Sequence, residues 1–239
     1  MSRCESVDVN ADLGEGFPND LMLLERVASA SVNCGAHAGD PASIRRTLAA
    51  ARDRGVVVGA HPGHPDREGF GRRERELSAA EVERLVVGQV GDLRRIADDL
   101  GVAIRFLKPH GALYNQAQRG GEAARGVVAA AVALGLPLLG QPATPLERSA
   151  RAAGLAYIPE GFPDRRYRTD GSLTPRSEPG AVLHDPEELA ENVRALASGG
   201  RVRTLCLHGD EPDAVANADR LLALLRELGV AVRPFLDPA

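Results

Sequence analysis

The chain has 239 residues, with 33 acidic side chains against 29 lysines and arginines, which gives a net charge of −4 at pH 7. This balance offers no basic surface for a nucleic-acid backbone, and no apolar run approaches the ~20 residues of a membrane-spanning helix. Three cysteines are too few for a disulfide framework or a cysteine-rich zinc site. Since the N-terminal residues also lack the apolar segment of a signal peptide, we expect a single cytoplasmic domain over residues 1–239, with neither nucleic acid nor membrane as a partner.

Short apolar segments alternate with longer amphipathic ones along the whole chain. The short segments are rich in Val, Ile and Leu, as is typical of parallel strands that are buried on both faces. We predict seven or eight such strands, near residues 7–10, 28–32, 55–59, 102–107, 136–140, 154–158, 203–207 and 230–235. Two segments, 61–77 and 159–184, are predicted to be long loops, which in compact domains are usually functional or disordered.

Start signals precede the helices between these strands. Asp40 stands before a proline in the pattern of an N-cap, and Ser78 with Glu81 forms a capping box. Asp185 is expected to cap a later helix and Asp210 the last one. Repeated strand–helix units in a chain of ~250 residues favour a (β/α) barrel over a doubly wound sheet, because no glycine-rich dinucleotide-binding pattern follows the first strand.

Most of the predicted strands are followed by polar residues that can take part in catalysis. In a (β/α) barrel the carboxyl ends of the strands converge on one face, where active sites lie, so we predict a catalytic mouth there. Its candidate catalytic residues are Asp12, Glu15, His37, His61, Lys108, His110, His208 and Asp210. Candidate residues for binding substrate or phosphate are Asn10, Arg72, Arg73, Tyr114, Asn115, Glu160, Asp164, Arg165 and Arg176. The alternative is that these residues are helix caps and solvated charge pairs in loops.

Whether the mouth holds a metal ion is left open by the sequence. His61 and His64 are three residues apart, and Asp12 or His37 could lie opposite them. Such nitrogen and oxygen ligands would suit a divalent cation, which makes Asp12, His37 and His61 the candidate ligands. Prolines around His61 place it in a loop, so the pair is not the helical zinc motif of metalloproteases. Cys206 is expected to pack in the core.

Longer motifs carry a family resemblance. In chain order they are 10–15 (NADLGE), 34–41 (CGAHAGDP), 59–62 (GAHP), 69–73 (GFGRR), 108–115 (KPHGALYN), 164–165 (DR) and 208–210 (HGD). Together they resemble the LamB/YcsF family, from about residue 8 to residue 235, and the motif 108–115 is the most specific. The resemblance implies an irregular (β/α) barrel, usually of seven strands, similar to that of glycoside hydrolases and polysaccharide deacetylases.

The resemblance also implies an activity. It is the cleavage of 5-oxo-L-proline to L-glutamate, coupled to hydrolysis of ATP to ADP and phosphate, in a complex with two further subunits, B and C. ATP, alone or with Mg²⁺, would be the cofactor, and we expect the isolated chain to bind it weakly because no P-loop is present. A metal-dependent deacetylase or glycosidase acting on carbohydrate is the alternative. Only 3% of the residues are aromatic, which argues against it, because sugar sites usually stack on aromatic rings.

Opening a stable lactam needs an activated oxygen, a base for water and donors for the developing negative charge. Asp12 or Glu15 is a candidate for the base, or for the residue that orients a histidine. Lys108 is a candidate for holding phosphoryl or carboxylate oxygens, together with one of Arg72, Arg73 or Arg165. The residues that fit proton transfer near neutral pH are His37, His61, His110 and His208.

Overall fold

The computed structural model describes residues 5–176, 178–210 and 213–237. In chain order the elements are β1 (Ser6–Leu13), α1 (Asp20–Leu23), β2 (Ser29–Asn33), α2 (Pro41–Asp53), β3 (Val57–His61), α3 (Ala79–Asp98), β4 (Ile104–Leu107), α4 (Gly111–Arg119), α5 (Gly121–Leu134), β5 (Leu138–Gly140), α6 (Pro145–Ala152), β6 (Tyr157–Gly161), α7 (Pro186–Ser198), β7 (Thr204–His208), α8 (Ala214–Glu227) and β8 (Ala231–Val232). Among the described residues, no helix is both long and apolar enough to span a membrane.

Seven of the strands close into a parallel barrel. The order in the sheet is β2-β3-β4-β5-β6-β7-β1, and a second pairing of β1 with β2 joins the two ends. β8 pairs with the start of β1 outside this ring. The barrel confirms the predicted fold, and all eight predicted strands are present. The single domain over 1–239 stays a prediction, as does the reading of the N-terminus, because residues 1–4 lie outside the described residues.

Side-chain caps begin several helices where the sequence places them. The predicted caps observed at the starts of α2, α3 and α7 are Asp40, Ser78 and Asp185. The prediction for the last helix is wrong, because Asp213 occupies the N-cap position of α8. Asp210 instead accepts a hydrogen bond from Arg72. An ion pair with a residue far away in the sequence has replaced the local cap.

Alternate residues of the strands face the surrounding helices and the barrel interior. On β1 the residues that pack in the main core with the helices are Val7, Val9, Ala11 and Leu13. The residues between them are polar and buried, namely Asp8, Asn10 and Asp12. β1 is therefore buried on both faces, as predicted, although one of the two faces is polar. Its inner face carries a polar column.

The inside of the barrel holds a small apolar cluster beside the polar column of β1. The cluster consists of Val57, Phe106, Leu139, Ile158 and Phe235. Gly59 leaves room for this cluster, since a Cβ atom there would lie 2.2 Å from the Phe106 ring. Polar side chains therefore share the interior with this cluster, and those at the carboxyl ends of the strands form the predicted mouth.

Candidate active site

Lys108 lies inside the barrel directly after β4, with 2% of its surface exposed. Its Nζ donates to Asp12 Oδ1 at 2.9 Å, to Cys206 Sγ at 2.9 Å and to Asn10 Oδ1 at 3.3 Å. The same atom is 3.1 Å from Glu160 Oε2. Burial alone would lower the pKa of Lys108, but Asp12, Cys206 and Glu160 raise it well above its usual value. Lys108 is thus the counter-ion of two buried carboxylates.

Three imidazoles and one carboxylate meet beside this ion pair. His61 Nε2 lies 3.0 Å from His110 Nδ1, and His37 Nε2 lies 3.1 Å from Glu15 Oε1. A third contact of 3.5 Å joins His110 Nδ1 to the same Glu15 oxygen. The rings of His37 and His110 are stacked with their centroids 3.8 Å apart. All four side chains are buried, so the group forms one compact cluster, called here the histidine cluster.

Backbone carbonyls orient two rings of the histidine cluster. His61 ends β3, and its Nδ1 lies 2.8 Å from the carbonyl oxygen of Lys108. His110 precedes α4, and its Nε2 lies 2.9 Å from the carbonyl oxygen of Phe70. A carbonyl only accepts hydrogen bonds, so these two nitrogens carry the protons. Phe70 has a φ of +53°, a left-handed conformation uncommon for a bulky residue, and such strain concentrates at functional sites.

Glu15 is held by the loop that follows β1. The carboxylate of Asp20 accepts hydrogen bonds from the backbone N–H of Gly14 at 3.1 Å and of Gly16 at 3.4 Å. The carbonyl oxygen of Glu15 accepts from the N–H of Gly39, in the loop after β2. These bonds brace the residues on both sides of Glu15, so its carboxyl group is presented to the imidazoles on a fixed backbone.

Burial and neighbouring charges shift the pKa values of Asp12 and Glu15 in opposite directions. Burial would raise the pKa of Asp12, but His61 and Lys108 hold it well below its usual range. The pKa of Glu15 is raised well above its usual value, first by burial and then by Asp12. Burial also lowers the pKa of His37 to about 3. The site thus combines an ionised carboxylate with a carboxyl group that resists ionisation, beside a neutral imidazole.

A fourth histidine, His208, lies at the mouth, at the end of β7. His208 Nδ1 lies 2.7 Å from Asp164 Oδ2. Since an ionised carboxylate only accepts hydrogen bonds, Nδ1 carries the proton of this contact, which leaves Nε2 as the ring atom that can exchange a proton. Burial would raise the pKa of Asp164, but His208 and Arg176 lower it. Potential ligand atoms of His208, Asp12 and Cys206 lie within 4.8 Å of one another, so the dyad opens onto the same interior.

Comparison with known proteins gives the family. A model of the LamB/YcsF family matches residues 7–239. The chain belongs to the LamB/YcsF family. This confirms the resemblance found in its motifs.

Relatives of the LamB/YcsF protein match it over nearly their whole length. It is 44% identical to the A subunit of 5-oxoprolinase from Methylococcus capsulatus, over 95% of each chain. A solved structure, the lactam utilization protein from Thermus thermophilus, is 40% identical and covers 96% of this chain and 100% of its own, with a TM-score of 0.88. The family 4 carbohydrate esterase from Streptomyces lividans has a TM-score of 0.52 at 11% identity, covering 99% of this chain and 95% of its own. That last likeness shows a shared fold only.

The rim of the mouth in this LamB/YcsF protein carries two of the arginines named from the sequence. Arg72 Nη2 donates to Asp210 Oδ2 at 2.5 Å, and Arg176 Nη1 lies 3.8 Å from the same oxygen. Burial would raise the pKa of Asp210, but Arg176 and Arg72 lower it. The guanidinium of Arg72 is 4.8 Å from the centre of the Phe70 ring. Two arginines thus converge on one carboxylate at the edge of the site.

Other residues named from the sequence lie away from the mouth or form part of the structure around it. Arg73 is exposed and donates to Glu68, so the structure does not bring it to the site. Asn115 is exposed on α4. Arg165 is buried, but it donates to the backbone carbonyl groups at residues 174 and 181 and so braces the long loop. Tyr114 is buried against the ring of Phe162 at 5.8 Å, and Phe162 in turn stacks on His208.

The structure bears on three further expectations. His64 bonds to Gln116 and does not join His61 as a pair. The Nζ atom of Lys108 is within 3.3 Å of Asn10, Asp12, Cys206 and Glu160, and its role as a clamp on substrate oxygens stays a prediction. Cys206, expected to pack in the core, is buried but also touches Lys108. Its position two residues before His208 on a strand was the signal, because alternate residues share one face.

Proposed function

We propose that this chain is the A subunit of a 5-oxoprolinase, which cleaves 5-oxo-L-proline to L-glutamate with hydrolysis of ATP to ADP and phosphate. The support from relatives is that full-length homologues at about 40–44% identity carry the name of the 5-oxoprolinase A subunit. The observation that carries the proposal within this chain is the mouth itself. It places an oriented histidine, a histidine cluster and two rim arginines around one opening.

His208 fits the role of the acid–base group. Asp164 holds the ring by Nδ1, which leaves Nε2 as the atom that can exchange a proton with a reactant. A carboxylate that orients a histidine in this way also stabilises the imidazolium that forms when the ring takes a proton. His208 would remove the proton from the attacking water and return it to the ring nitrogen of the opened lactam.

The rim arginines fit the anionic parts of the reactants. 5-Oxoproline carries a carboxylate, and an activated lactam carries a phosphoryl group. Arginine binds both kinds of group in a planar, two-pronged manner. Arg72 and Arg176 already share the carboxylate of Asp210, so a substrate anion would compete with that residue for the same guanidinium groups.

The dependence on partners is part of the same proposal. ATP with Mg²⁺ would be bound mainly with the help of subunits B and C, since the sequence contains no P-loop. We place the complex in the cytoplasm, and assign it no nucleic-acid or membrane partner.

The test is the release of glutamate from 5-oxoproline and ATP, measured with this chain alone and with subunits B and C added. We expect turnover only in the full mixture, with one ADP formed per glutamate. Calorimetry with the isolated chain should detect weak ATP binding or none. Absence of glutamate release from the full mixture, with every component shown to be folded, would refute the proposal.

A further inference from the structure

We infer that Phe70 is a positioning residue that orients two parts of the mouth at once, the rim guanidinium of Arg72 and the imidazole of His110. Phe70 lies in the long loop between β3 and α3 and is partly exposed. Its ring contacts the rim arginine, and its backbone carbonyl contacts the histidine cluster. The consequence for substrate binding rests on the proposed function, whereas the consequence for the geometry of the site does not.

The ring of Phe70 holds the side chain of Arg72. The guanidinium carbon lies over the ring, 4.8 Å from its centre. An aromatic face attracts a guanidinium group and leaves its N–H groups to bind carboxylate or phosphoryl oxygens at the edge. Arg72 makes such a bond with Asp210, whereas the neighbouring Arg73 donates to Glu68. The ring contact therefore distinguishes the arginine at the mouth from its neighbour.

The backbone carbonyl of Phe70 selects the tautomer of His110. Burial lowers the pKa of His110 well below its usual value, so the ring is neutral. The carbonyl oxygen of Phe70 accepts a hydrogen bond from His110 Nε2 at 2.9 Å, which leaves the lone pair on Nδ1. This atom faces His61 Nε2 at 3.0 Å and Glu15 Oε1 at 3.5 Å. In the other tautomer a lone pair would face the carbonyl oxygen, which is unfavourable.

The loop keeps Phe70 in a conformation that other residues adopt more easily. Its φ is +53°, a left-handed value that glycine and asparagine tolerate better than an aromatic residue does. The turn is closed by the N–H of Gly71, which donates to the carbonyl oxygen of Asp66 at 2.8 Å. The carbonyl oxygen of Gly71 accepts from the N–H of Ala112 in α4 at 3.0 Å, so the loop is attached to the helix that follows His110. An aromatic residue at such a position is expected if its ring is needed there.

The ring is tested by Phe70→Leu and Phe70→Tyr, which place similar demands on the backbone but differ in the aromatic face. In the complex with subunits B and C, Phe70→Leu should raise the KM for 5-oxoproline about 2–30-fold, the range that a cation–π contact supplies, and should lower kcat by a smaller factor. Phe70→Tyr should restore the KM. Phe17→Leu is the matched control, because it removes a ring 5.8 Å from Phe70 and leaves the ring under Arg72 in place.

The same contact can be measured without substrate. An aromatic face shields the protons above it, so the side-chain N–H resonance of Arg72 should lie upfield in the unaltered chain and in Phe70→Tyr. In Phe70→Leu it should return toward the ordinary position for arginine. This measurement separates a specific contact with the ring from general packing, which leucine would also provide.

The carbonyl is tested by Phe70→Asn and Phe70→Val, which both lack the ring. Asparagine adopts a left-handed backbone readily, whereas the β-branched valine does not. Heteronuclear NMR of the labelled histidine rings reports which nitrogen of His110 carries the proton, and His110→Gln assigns the signal. We expect the Nε2-protonated form in the unaltered chain and in Phe70→Asn, and its loss as the single form in Phe70→Val. Phe70→Ala replaces Phe70→Val if that variant does not fold.

Two outcomes would overturn the positioning role of Phe70. One is a folded Phe70→Leu variant with the KM of Phe17→Leu and the Arg72 resonance of the unaltered chain. The other is a folded Phe70→Val or Phe70→Ala variant in which His110 keeps the tautomer seen in Phe70→Asn. If the unaltered complex releases no glutamate, the proposed function fails, and the two NMR measurements still decide the positioning role.

Discussion

Replacing Lys108 by Met should destabilise the protein far more than the loss of a surface charge. The substitution keeps an unbranched side chain, one atom shorter, but removes the ammonium that lies 2.9 Å from Asp12 Oδ1 and 3.1 Å from Glu160 Oε2. Removing one partner of a buried ion pair raises the free energy of the folded state by ~3–5 kcal/mol, because the other charge stays buried without compensation. We therefore expect a loss of that size in the free energy of unfolding at pH 7.5.

The effect should depend on pH with a definite sign. In the unaltered protein the pKa of Asp12 is lowered, so its stabilising contribution is present above the unfolded pKa and is lost as the pH falls through the folded one. Without Lys108 much of this lowering disappears, so the two proteins should differ less in acid. Urea unfolding followed by circular dichroism at pH 7.5 and at pH 3, below the unfolded pKa of about 3.8, measures both effects.

The matched control is Arg45→Met, which removes the cation of an exposed ion pair with Asp99. Such pairs contribute ~0–1 kcal/mol, so this variant should unfold close to the unaltered protein at both pH values. Lys108→Met in an Asp12→Asn background should lose less stability than Lys108→Met alone, since one of the two stranded charges is gone. If Lys108→Met and Arg45→Met lower the free energy of unfolding equally, Lys108 is not the counter-ion that its contacts indicate.

Three further predictions concern separate parts of the barrel. His208→Asn should lower the turnover of 5-oxoproline by ~10²–10⁴-fold at an unchanged melting temperature, whereas the exposed His184→Ala should leave both unchanged; equal turnover in the two variants would remove His208 from the acid–base role. Gly59→Ala should reduce the free energy of unfolding by ~1–3 kcal/mol through overlap with the Phe106 ring, and Phe106→Leu in the same chain should restore part of it. Burial raises the pKa of Asp8 to about 7, so its contribution to the free energy of unfolding is full below the unfolded pKa and is lost as the pH rises through about 7. In urea unfolding, the free energy of unfolding of Asp8→Asn should therefore change less between pH 4 and pH 7 than that of the unaltered protein. An equal change in the two proteins would contradict the raised pKa.

Features that depend on neighbouring residues could be predicted from the sequence. Asp40 caps α2 through the N–H of Ser43, and Ser78 pairs with Glu81, because both partners lie within one turn. The alternation of strands and helices similarly requires only local periodicity. The prediction of a polar mouth followed from topology, since parallel strands in a barrel end on one face. The family, too, could be recognised from contiguous motifs.

Which polar residues meet inside the barrel was decided by the tertiary structure. Asp12 and Cys206 are 96 and 98 residues from Lys108 in the chain, so their contacts with its ammonium exist only after the ring of strands has closed. Arg72 and Arg73 are neighbours with the same chemistry, yet one reaches Asp210 and the other turns to Glu68. Composition and periodicity indicate which contacts a residue makes within its own strand or turn. The residue that it contacts across the barrel depends on the register between strands and on the closure of the sheet, and neither can be read from a local sequence pattern.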